Sequence, residues 1–149
     1  MTPAIRPARA GEEAALTELA VRSKGHWGHD AAFLARSRTA LTVGPEQLDR
    51  WIVRVAERDG AVVGVAAVDP EAAELELLFV DPPAIGTGVG RALLLDALDR
   101  AREAGLGALT IESDPDAEPF YLAAGAARIG TRVSPATGRE LPLLQIATG

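Results

Sequence analysis

One stretch, 73–113, limits the fold more than any other, because strand-like, glycine-rich, helix-like and again strand-like runs follow one another in it. Apolar and polar residues alternate in "AELELLFVD" (73–81), and two prolines end the alternation, since proline cannot donate to a sheet ladder. "AIGTGVGRALL" (84–94) carries three glycines and leads into leucines and alanines at helical spacing over 88–104. With the buried-type strand "ALTIES" (108–113) after it, this order predicts a parallel β-α-β unit with a right-handed crossover.

The segments on either side predict an antiparallel meander before this unit and a helix with a hairpin after it. Further strands are predicted over 4–9, 51–58, 61–69, 127–134 and 140–147, and further helices over 12–23, 30–38, from 44 onwards and over 117–125. Asp59-Gly60 is a strong hairpin signal between two of these strands. We therefore expect one α+β (mixed α/β) domain over residues 1–149, with a twisted sheet of six to seven strands, mostly antiparallel and partly parallel, flanked by about four helices.

Composition excludes several classes of function. The 149 residues suit a single domain, and 48% hydrophobic with 24% charged residues is typical of a globular fold. A formal net charge of -6 argues against broad nucleic-acid binding, which needs a basic face. The chain has no cysteine, which removes disulfides, thiolate metal sites and covalent cysteine catalysis.

The sequence predicts neither a membrane segment nor a metal site. No apolar run reaches the length of a membrane span, and charged residues interrupt 1–20, so no secretory signal is expected. We therefore expect a cytoplasmic protein without a membrane partner. His26 and His29 have a spacing that could clip a metal ion, but no carboxylate cluster completes the ligand set.

The glycine turn predicts an anion site. Four N–H groups at the start of a helix lack internal partners, and the helix dipole adds positive potential there. Glycines let a bulky phosphate approach the backbone, so residues 86–91 could cradle one. The turn does not match GxxxxGK[ST], and its GxGxG spacing in mid-chain differs from the dinucleotide fingerprint GxGxxG. A plain tight turn is the alternative interpretation.

Two motifs in order resemble the signatures of the GNAT N-acetyltransferase superfamily. "LFVDPPAIGTGVGRALL" (78–94) resembles its Q/R-x-x-G-x-G/A loop, and "DPDAEPFYLAAGA" (114–126) resembles its second signature, Asn-x-x-Ala-x-x-Phe-Tyr. "SKGHWGHD" (23–30) resembles a stretch of one uncharacterised bacterial branch. The predicted strand order matches the superfamily fold over nearly the whole chain. Two positions depart from the pattern: Ile85 replaces the usual Gln or Arg, and we place Asp116 at the position of the usual Asn.

The resemblance implies acetyl-CoA as co-substrate. It implies a pyrophosphate on residues 86–91 and a pantetheine arm along 78–80, as a pseudo-strand in a gap of the sheet where backbone groups would otherwise lack partners. The cofactor-binding residues that it implies are Leu78, Phe79, Val80, Ile85, Gly86, Thr87, Gly88, Val89, Gly90, Arg91 and Asp116. Ile85 brings no side-chain donor, and Arg91 is either a phosphate contact or a solvated helix residue.

The resemblance also implies acetyl transfer to an amine by direct attack in a ternary complex. Tyr121, the only tyrosine, matches the family's acid position and would protonate the leaving thiolate. Packing, with its hydroxyl bonded to the backbone, is the alternative interpretation. A backbone N–H near Phe79 or Val80 would stabilise the negative charge on the reacting carbonyl oxygen.

Candidates for the general base come from two places. Alternation predicts two faces in strand 73–81, with Glu74, Glu76, Leu78 and Val80 on one and Leu75, Leu77 and Phe79 on the other. Acids in this region act as bases in some family members, so Glu74 and Glu76 are candidates, although ordinary exposed glutamates are the alternative. His26 and His29, the only histidines, are further candidates because a neutral imidazole is a suitable base.

The acceptor is expected to be a primary amine of a small molecule or peptide, and the acidic composition favours a cationic acceptor over nucleic acid. His26, Trp27 and His29 are predicted to contact it. A homodimer through the last strands or the outer helices is a further expectation from the family. Two other functions stay open: a catalytically silent acyl-CoA-binding sensor module, suggested by Ile85 and Asp116, and a structural or dimerisation domain that keeps only the fold.

Overall fold

Seven strands form one mixed sheet in the computed structural model, which describes residues 2–135 and 137–149. The elements in chain order are β1 (Ala4–Pro7), α1 (Glu13–Gly25), α2 (Ala31–Leu41), α3 (Pro45–Arg50), β2 (Ile52–Arg58), β3 (Ala61–Asp69), β4 (Glu74–Val80), α4 (Val89–Glu103), β5 (Ala108–Glu112), α5 (Glu118–Ala123), β6 (Ala127–Val133) and β7 (Glu140–Ala147). The order across the sheet is β1-β2-β3-β4-β5-β7-β6. Among the described residues, β4 and β5 are parallel and the other neighbouring strands are antiparallel.

This architecture confirms the predicted α+β fold with a mostly antiparallel and partly parallel sheet, and the described residues form five α-helices where about four were expected. Local signals explain where elements begin. The carboxylate of Asp30 accepts a hydrogen bond from the Phe33 N–H at 2.7 Å and caps α2. Asp59 and Gly60 both have positive φ, 54° and 80°, as the tight turn between β2 and β3 requires. No helix in the described ranges is both long and apolar enough to cross a bilayer.

An apolar cluster lies on each face of the sheet, and α4 fixes one of them. The buried residues of α4 are Val89, Leu93, Leu94, Ala97, Leu98 and Ala101. The helix sits close to β3, because a Cβ added at Gly64 would lie 2.6 Å from Leu93 Cδ1. An ion pair of 2.8 Å between Arg54 and Asp96 ties the same helix to β2. These contacts hold the N-terminus of α4, where the glycine turn ends, at a fixed place beside the sheet.

A β-bulge in β4 changes which side chains share a face. Ala67 is paired with Leu77, but Val68 is paired with Leu75, so Glu76 is an extra residue in β4. Leu75 therefore packs in the cluster on the α4 side, whereas Leu77 packs in the cluster on the α1 side. The prediction of one face shared by Leu75, Leu77 and Phe79 is wrong for Leu75, because strict alternation does not hold across a bulge.

The parallel strands β4 and β5 separate soon after they meet. Their pairing comprises Glu74 with Thr110, and the Thr110 N–H donates to the Ala73 carbonyl at 2.9 Å. Beyond this point β4 remains paired with β3 as far as Val80, and β5 remains paired with β7. One edge of β4 is consequently left without a neighbouring strand over 75–80 in the described part of the chain, which opens a slot in the middle of the sheet.

Candidate active site

A cavity of about 370 Å³, called the main cavity below, occupies the slot between β4 and β5. Its lining comes from the unpaired edge of β4, the glycine turn, the end of β5 and α5, with two residues of the α1 region. These residues are Ser23, Trp27, Leu75, Glu76, Leu78, Phe79, Val80, Ile85, Gly86, Gly88, Gly90, Arg91, Ile111, Glu112, Ser113, Asp114, Asp116, Ala117, Phe120 and Tyr121. The main cavity therefore joins a backbone turn at one end to a group of carboxylates at the other.

The glycine turn is built by backbone that only glycine adopts easily. A short 3-10 turn over Pro82–Ala84 reverses the chain after β4. Gly86 and Gly88 then take φ of 81° and 90°, a left-handed conformation that is strained for other residues. The Thr87 hydroxyl donates to the Ala84 carbonyl, which closes the turn. Glycines are needed at 86 and 88 because the backbone must reverse its direction through left-handed conformations before α4 begins beside the slot.

Six consecutive amides of the turn donate no hydrogen bond of normal geometry to any described residue. The first helical bond of α4 runs from the Ala92 N–H to the Gly88 carbonyl at 3.1 Å. Within residues 2–135 and 137–149, the N–H groups of 86–91 have no hydrogen-bond partner. Unpaired donors at a helix start, together with the helix dipole, favour an anion. The backbone present therefore fits a diphosphate group.

The structure brings most of the predicted cofactor-binding residues to the main cavity. All of them line it except Thr87, whose hydroxyl is used within the turn, and Val89, whose side chain is fully buried in the core. Ile85 lines the cavity with an apolar side chain, so the amides act there without help from that residue. The exposed Arg91 also lines it, which leaves its guanidinium free to reach a bound anion.

In the second signature, the position where the family usually has Asn is taken by Asp114 and not by Asp116. Counted back from Ala117 and Tyr121, the usual Asn position falls on Asp114, so the placement of Asp116 there is wrong. Asp116 is exposed and lines the main cavity but not the smaller one beside it. Asp114 lines the main cavity and also a smaller one beside it.

Glu76 is the carboxylate best placed for proton transfer. The bulge turns it into the main cavity, and it also lines a second cavity. Burial raises its pKa from about 4.5 to about 7, and the neighbouring Glu74, Asp69 and Glu112 add to the shift. A carboxyl group with such a pKa is poised to accept and release a proton near neutrality.

Glu74 is placed differently from Glu76. Its carboxylate pairs with Arg132 at 2.9 Å, and it lines neither cavity. The same guanidinium lies 3.7 Å from Glu112, whose pKa is raised chiefly by burial. The structure thus separates the two predicted bases: Glu76 faces the cavities, and Glu74 holds an ion pair beside them.

Tyr121 lies on α5 with its ring buried and lines the main cavity. The Phe120 ring packs edge-on against it, with 5.2 Å between centroids. No hydrogen bond from the Tyr121 hydroxyl to another described residue is present, so the alternative of a backbone-bonded phenol is not what the fold provides. Burial, with a smaller contribution from Asp114, raises the pKa of the phenol above its usual value, so the phenol is protonated at neutral pH.

The three predicted acceptor contacts are not equivalent. Trp27 lines the main cavity with about half of its surface exposed. His26 packs edge-on against Trp27, and His29 stacks on Phe33 with 4.2 Å between centroids. Neither imidazole lines either cavity. The described residues also contain no group of three or more His, Cys, Asp or Glu side chains arranged to hold a metal ion.

A second cavity of about 110 Å³ adjoins the main one. Its lining residues are Lys24, Phe33, Ser37, Ala40, Leu41, Glu76, Phe79, Glu112, Asp114, Ser134, Thr137, Arg139 and Leu141. Sequence reasoning missed most of these, because they come from α1, α2, β5 and the segment before β7. One signal was available: "ESDPD" ends a strand of a parallel pair, and ligands bind at the carboxyl ends of such strands.

Comparison with known protein families identifies the family of this chain. The family described as "Acetyltransferase (GNAT) domain" matches residues 43–136, which include the divergent strands and the glycine turn. The chain belongs to the GNAT acetyltransferase family. The resemblance inferred from the two motifs is thereby confirmed.

This GNAT chain is similar in sequence or in fold to several acetyltransferases. It is 34% identical over 137 residues to mycothiol acetyltransferase of Sanguibacter keddieii, a match that covers 83% of the chain and 43% of that protein. The chain thus spans less than half the length of this curated relative. Its fold is similar to that of a GCN5-related N-acetyltransferase from Rhodopseudomonas palustris, with a TM-score of 0.82, 21% identity and coverage of 99% and 96%. It is also similar to the PaiA N-acetyltransferase of Thermoplasma acidophilum, solved in complex with coenzyme A, with a TM-score of 0.75, 17% identity and coverage of 99% for both chains.

Proposed function

We propose that this GNAT domain transfers an acetyl group from acetyl-CoA to a primary amine of a small molecule or peptide, directly and within a ternary complex. The observation that carries the proposal is the row of unpaired amides over 86–91 at the mouth of a slot that also contains Glu76. Membership of an acetyltransferase family, and a similar fold solved with coenzyme A, support it.

Binding of the donor would use backbone rather than charged side chains. The diphosphate would accept hydrogen bonds from the amides of 86–91, with Arg91 adding positive charge at the rim. The amide-bearing pantetheine arm would pair with the free edge of β4 over 75–80, in the way that an added strand would. Acetyl-CoA supplies an acetyl thioester, whose carbonyl carbon is activated toward amines.

Glu76 would take the proton of the attacking amine. A carboxyl group whose pKa is about 7 is substantially ionised at neutral pH, and it is more basic than an ordinary carboxylate. As the new C–N bond forms and the C–S bond breaks, one amine proton passes to Glu76. Because Glu76 lines both cavities, it can reach an amine held in either one.

Two groups would stabilise negative charge during transfer. The Asp81 N–H donates to the Val63 carbonyl on β3 at 2.8 Å, and alternation along the antiparallel pair then directs the Phe79 N–H to β3 and the Val80 N–H to the slot. Of the two predicted donors, Val80 is therefore the one available to the carbonyl oxygen. The phenol of Tyr121 would donate a hydrogen bond to the departing sulfur, which leaves as the thiolate of CoA and takes its proton from solvent.

A turnover assay tests the proposal directly. Purified protein is supplied with acetyl-CoA and a panel of primary amines, and free thiol and acetylated amine are both measured. Stoichiometric appearance of the two products is expected. Tight binding of CoA with no turnover on any amine would instead identify an acyl-CoA sensor, and a lack of CoA binding would leave only a shared fold.

A further inference from the structure

We propose that the second cavity binds an acceptor that carries a carboxylate as well as the reacting amine, an amino acid of small size being the simplest example. This inference rests on the proposed acetyl transfer and names its acceptor class. It is carried by three features of the cavity: charges of both signs, a buried hydroxyl without a partner, and an opening toward Glu76.

Charges of both signs line the second cavity. Lys24 Nζ and Arg139 Nη1, together called the cationic wall, lie 3.2 and 3.8 Å from the same carboxylate, that of Asp114, so two cations share one anion. Glu76 and Glu112 line the same cavity. A molecule that carries both an ammonium group and a carboxylate would find a partner for each, whereas a purely cationic amine would meet Lys24 and Arg139 with no anion to offer them.

An aromatic ring helps to hold the cationic wall in place. The Arg139 guanidinium lies 4.9 Å from the centroid of the Phe33 ring, and Lys24 Nζ lies 5.6 Å from it. Phe33 is buried, and its helix is capped by Asp30. Arg36 also lies over this ring, at 5.9 Å, but it does not line the cavity and therefore serves as a matched control.

Ser37 supplies the second, independent observation. It lines the cavity and is only 3% exposed, yet its Oγ has no hydrogen-bond partner among the described residues. A buried hydroxyl left unpaired is unfavourable, and native structures seldom keep one without a reason. A carboxylate oxygen held by Lys24 and Arg139 would lie within the same small space and would accept the hydrogen bond of this hydroxyl.

The size and the position of the cavity limit the acceptor. A volume of about 110 Å³ corresponds to roughly four water molecules at liquid density, so the acceptor, or the part of it that enters, is small. The two cavities share Glu76, Phe79, Glu112 and Asp114. An amino acid with its carboxylate on the cationic wall would therefore present its amine to Glu76, at the border with the donor slot.

The experiment compares acceptors that differ only in the carboxylate. Alanine, alaninamide and isopropylamine, with the same sets for serine and β-alanine, are assayed with acetyl-CoA, and kcat/KM is expressed per concentration of free amine. The acid is expected to exceed its amide by about ten- to a hundred-fold, the range of hydrogen bonds to a charged group. Arg139→Gln and Lys24→Met should lower kcat/KM for the acid by a similar factor and leave that for the amide within about two-fold.

Controls separate the site from the fold. Arg36→Gln removes the cation that lies over Phe33 outside the cavity, and it should change neither acceptor. Ser37→Ala should lower kcat/KM for the acid by about three- to ten-fold. Melting temperature and CoA affinity are measured for each variant, and Arg139→Lys, which keeps the charge, should recover part of the loss. Amides that react as well as acids in the unaltered protein, or variants that impair acid and amide equally, would overturn the inference.

A binding measurement distinguishes this inference from the proposed reaction. Alanine is titrated by calorimetry into protein saturated with CoA, without any turnover. If no amine is acetylated but alanine binds and Arg139→Gln abolishes the binding, the proposed reaction is wrong and the carboxylate site stands. If amines without a carboxylate are acetylated and alanine neither binds nor reacts, the reaction stands and the carboxylate site is wrong.

Discussion

At the scale of single residues, the position of Glu76 follows from one extra residue in a strand. The bulge opposite Val68 turns its carboxylate into the cavities, where burial and three neighbouring acids raise its pKa to about 7. Glu74, two residues earlier, pairs with Arg132 and is held away from both cavities. Two glutamates with the same sequence context therefore have different chemistry, and this difference can be measured.

Glu76→Gln should lower kcat/KM by about a hundred- to ten-thousand-fold if Glu76 is the general base. In the unaltered protein the rate should rise with pH through about 7, because the base must be ionised. The pH–rate profile of the variant should lack this rise. Glu74→Gln is the matched control: it removes a negative neighbour, so the rise should persist and move to lower pH. A rise unchanged in Glu76→Gln would exclude Glu76 as the base.

The thermal stability of Glu76→Gln tests the raised pKa of Glu76 independently of the reaction. A carboxyl whose pKa is raised by folding binds its proton more tightly in the native state, so its contribution is fully present below about 4.5 and is lost as pH rises through about 7. Glu76→Gln, which cannot ionise, should therefore melt at a higher temperature than the unaltered protein at pH 8 and show no such gain at pH 4. A gain of equal size at both values would contradict a raised pKa.

Tyr121→Phe should slow turnover by about ten-fold or more, because it removes a donor to the departing sulfur. Since the Tyr121 hydroxyl bonds to no other described residue, the variant should keep its melting temperature and its affinity for CoA. Steady-state rates with acetyl-CoA and with a donor that has a better leaving thiol check this. The better leaving group should narrow the difference between the two proteins, and an unchanged rate with acetyl-CoA would remove Tyr121 from the mechanism.

At the scale of elements, the glycine turn and α4 act as one unit. The turn needs left-handed backbone at Gly86 and Gly88, whereas Gly90 lies inside α4 and has no positive φ. A Cβ added at Gly90 would make ordinary contacts, at 3.5 Å from Val80 and 3.6 Å from Phe120. Folding therefore does not require glycine at 90, and a side chain there would take up space in the main cavity, which Gly90 lines.

Gly90→Ala should keep or raise the free energy of unfolding, by up to about 1 kcal/mol, because alanine favours a helix. Its methyl group would lie in the main cavity, so the affinity for CoA should fall. Gly64→Ala gives the opposite pattern: crowding against Leu93 should cost about 1–3 kcal/mol of stability, with CoA affinity per folded molecule unchanged. Chemical denaturation and calorimetry separate the two effects, and a Gly90→Ala protein that binds CoA normally would contradict the site.

Much of this unit could be predicted from the sequence, and particular residues show where the prediction stops. The alternation over 73–81, the two prolines and the glycines are local signals, and they predicted β4, the turn and α4 almost to the residue. The bulge at Glu76 is a property of how β4 pairs with β3, so no pattern within β4 reveals it. The second cavity depends on Lys24 and Arg139 meeting Asp114 across long stretches of chain, and such contacts exist only once the sheet has formed.

At the scale of the whole molecule, the chain is acidic and yet places donors for an anion at two sites among the described residues. Its formal net charge is -6, while the turn exposes six unpaired amides and the second cavity contains Lys24 and Arg139 beside three carboxylates. An acidic surface disfavours nonspecific binding of polyanions, and the local sites would then select small anionic groups by geometry.

Binding of CoA should stabilise the whole domain, because a ligand that binds only the native state shifts the unfolding equilibrium. At a CoA concentration of about 100 times Kd, the gain is about 2.7 kcal/mol, which raises the melting temperature of a domain of this size by roughly 5–10 °C. Differential scanning fluorimetry with CoA, and with pantetheine lacking the diphosphate, checks this. The truncated compound should give a much smaller shift, and equal shifts for the two would argue against a diphosphate site.

The central claim is that the amides of 86–91 hold the diphosphate of CoA, and its most direct test observes these amides by NMR. In a ¹H–¹⁵N spectrum of assigned protein, addition of CoA should move the amide signals of Gly86, Gly88, Val89, Gly90 and Arg91 downfield and slow their hydrogen exchange, because each gains an acceptor. Amides of β6, far across the sheet, serve as the internal reference. If CoA binds and the signals of 86–91 neither move nor gain protection, the turn does not hold the diphosphate and the account of the active site is wrong.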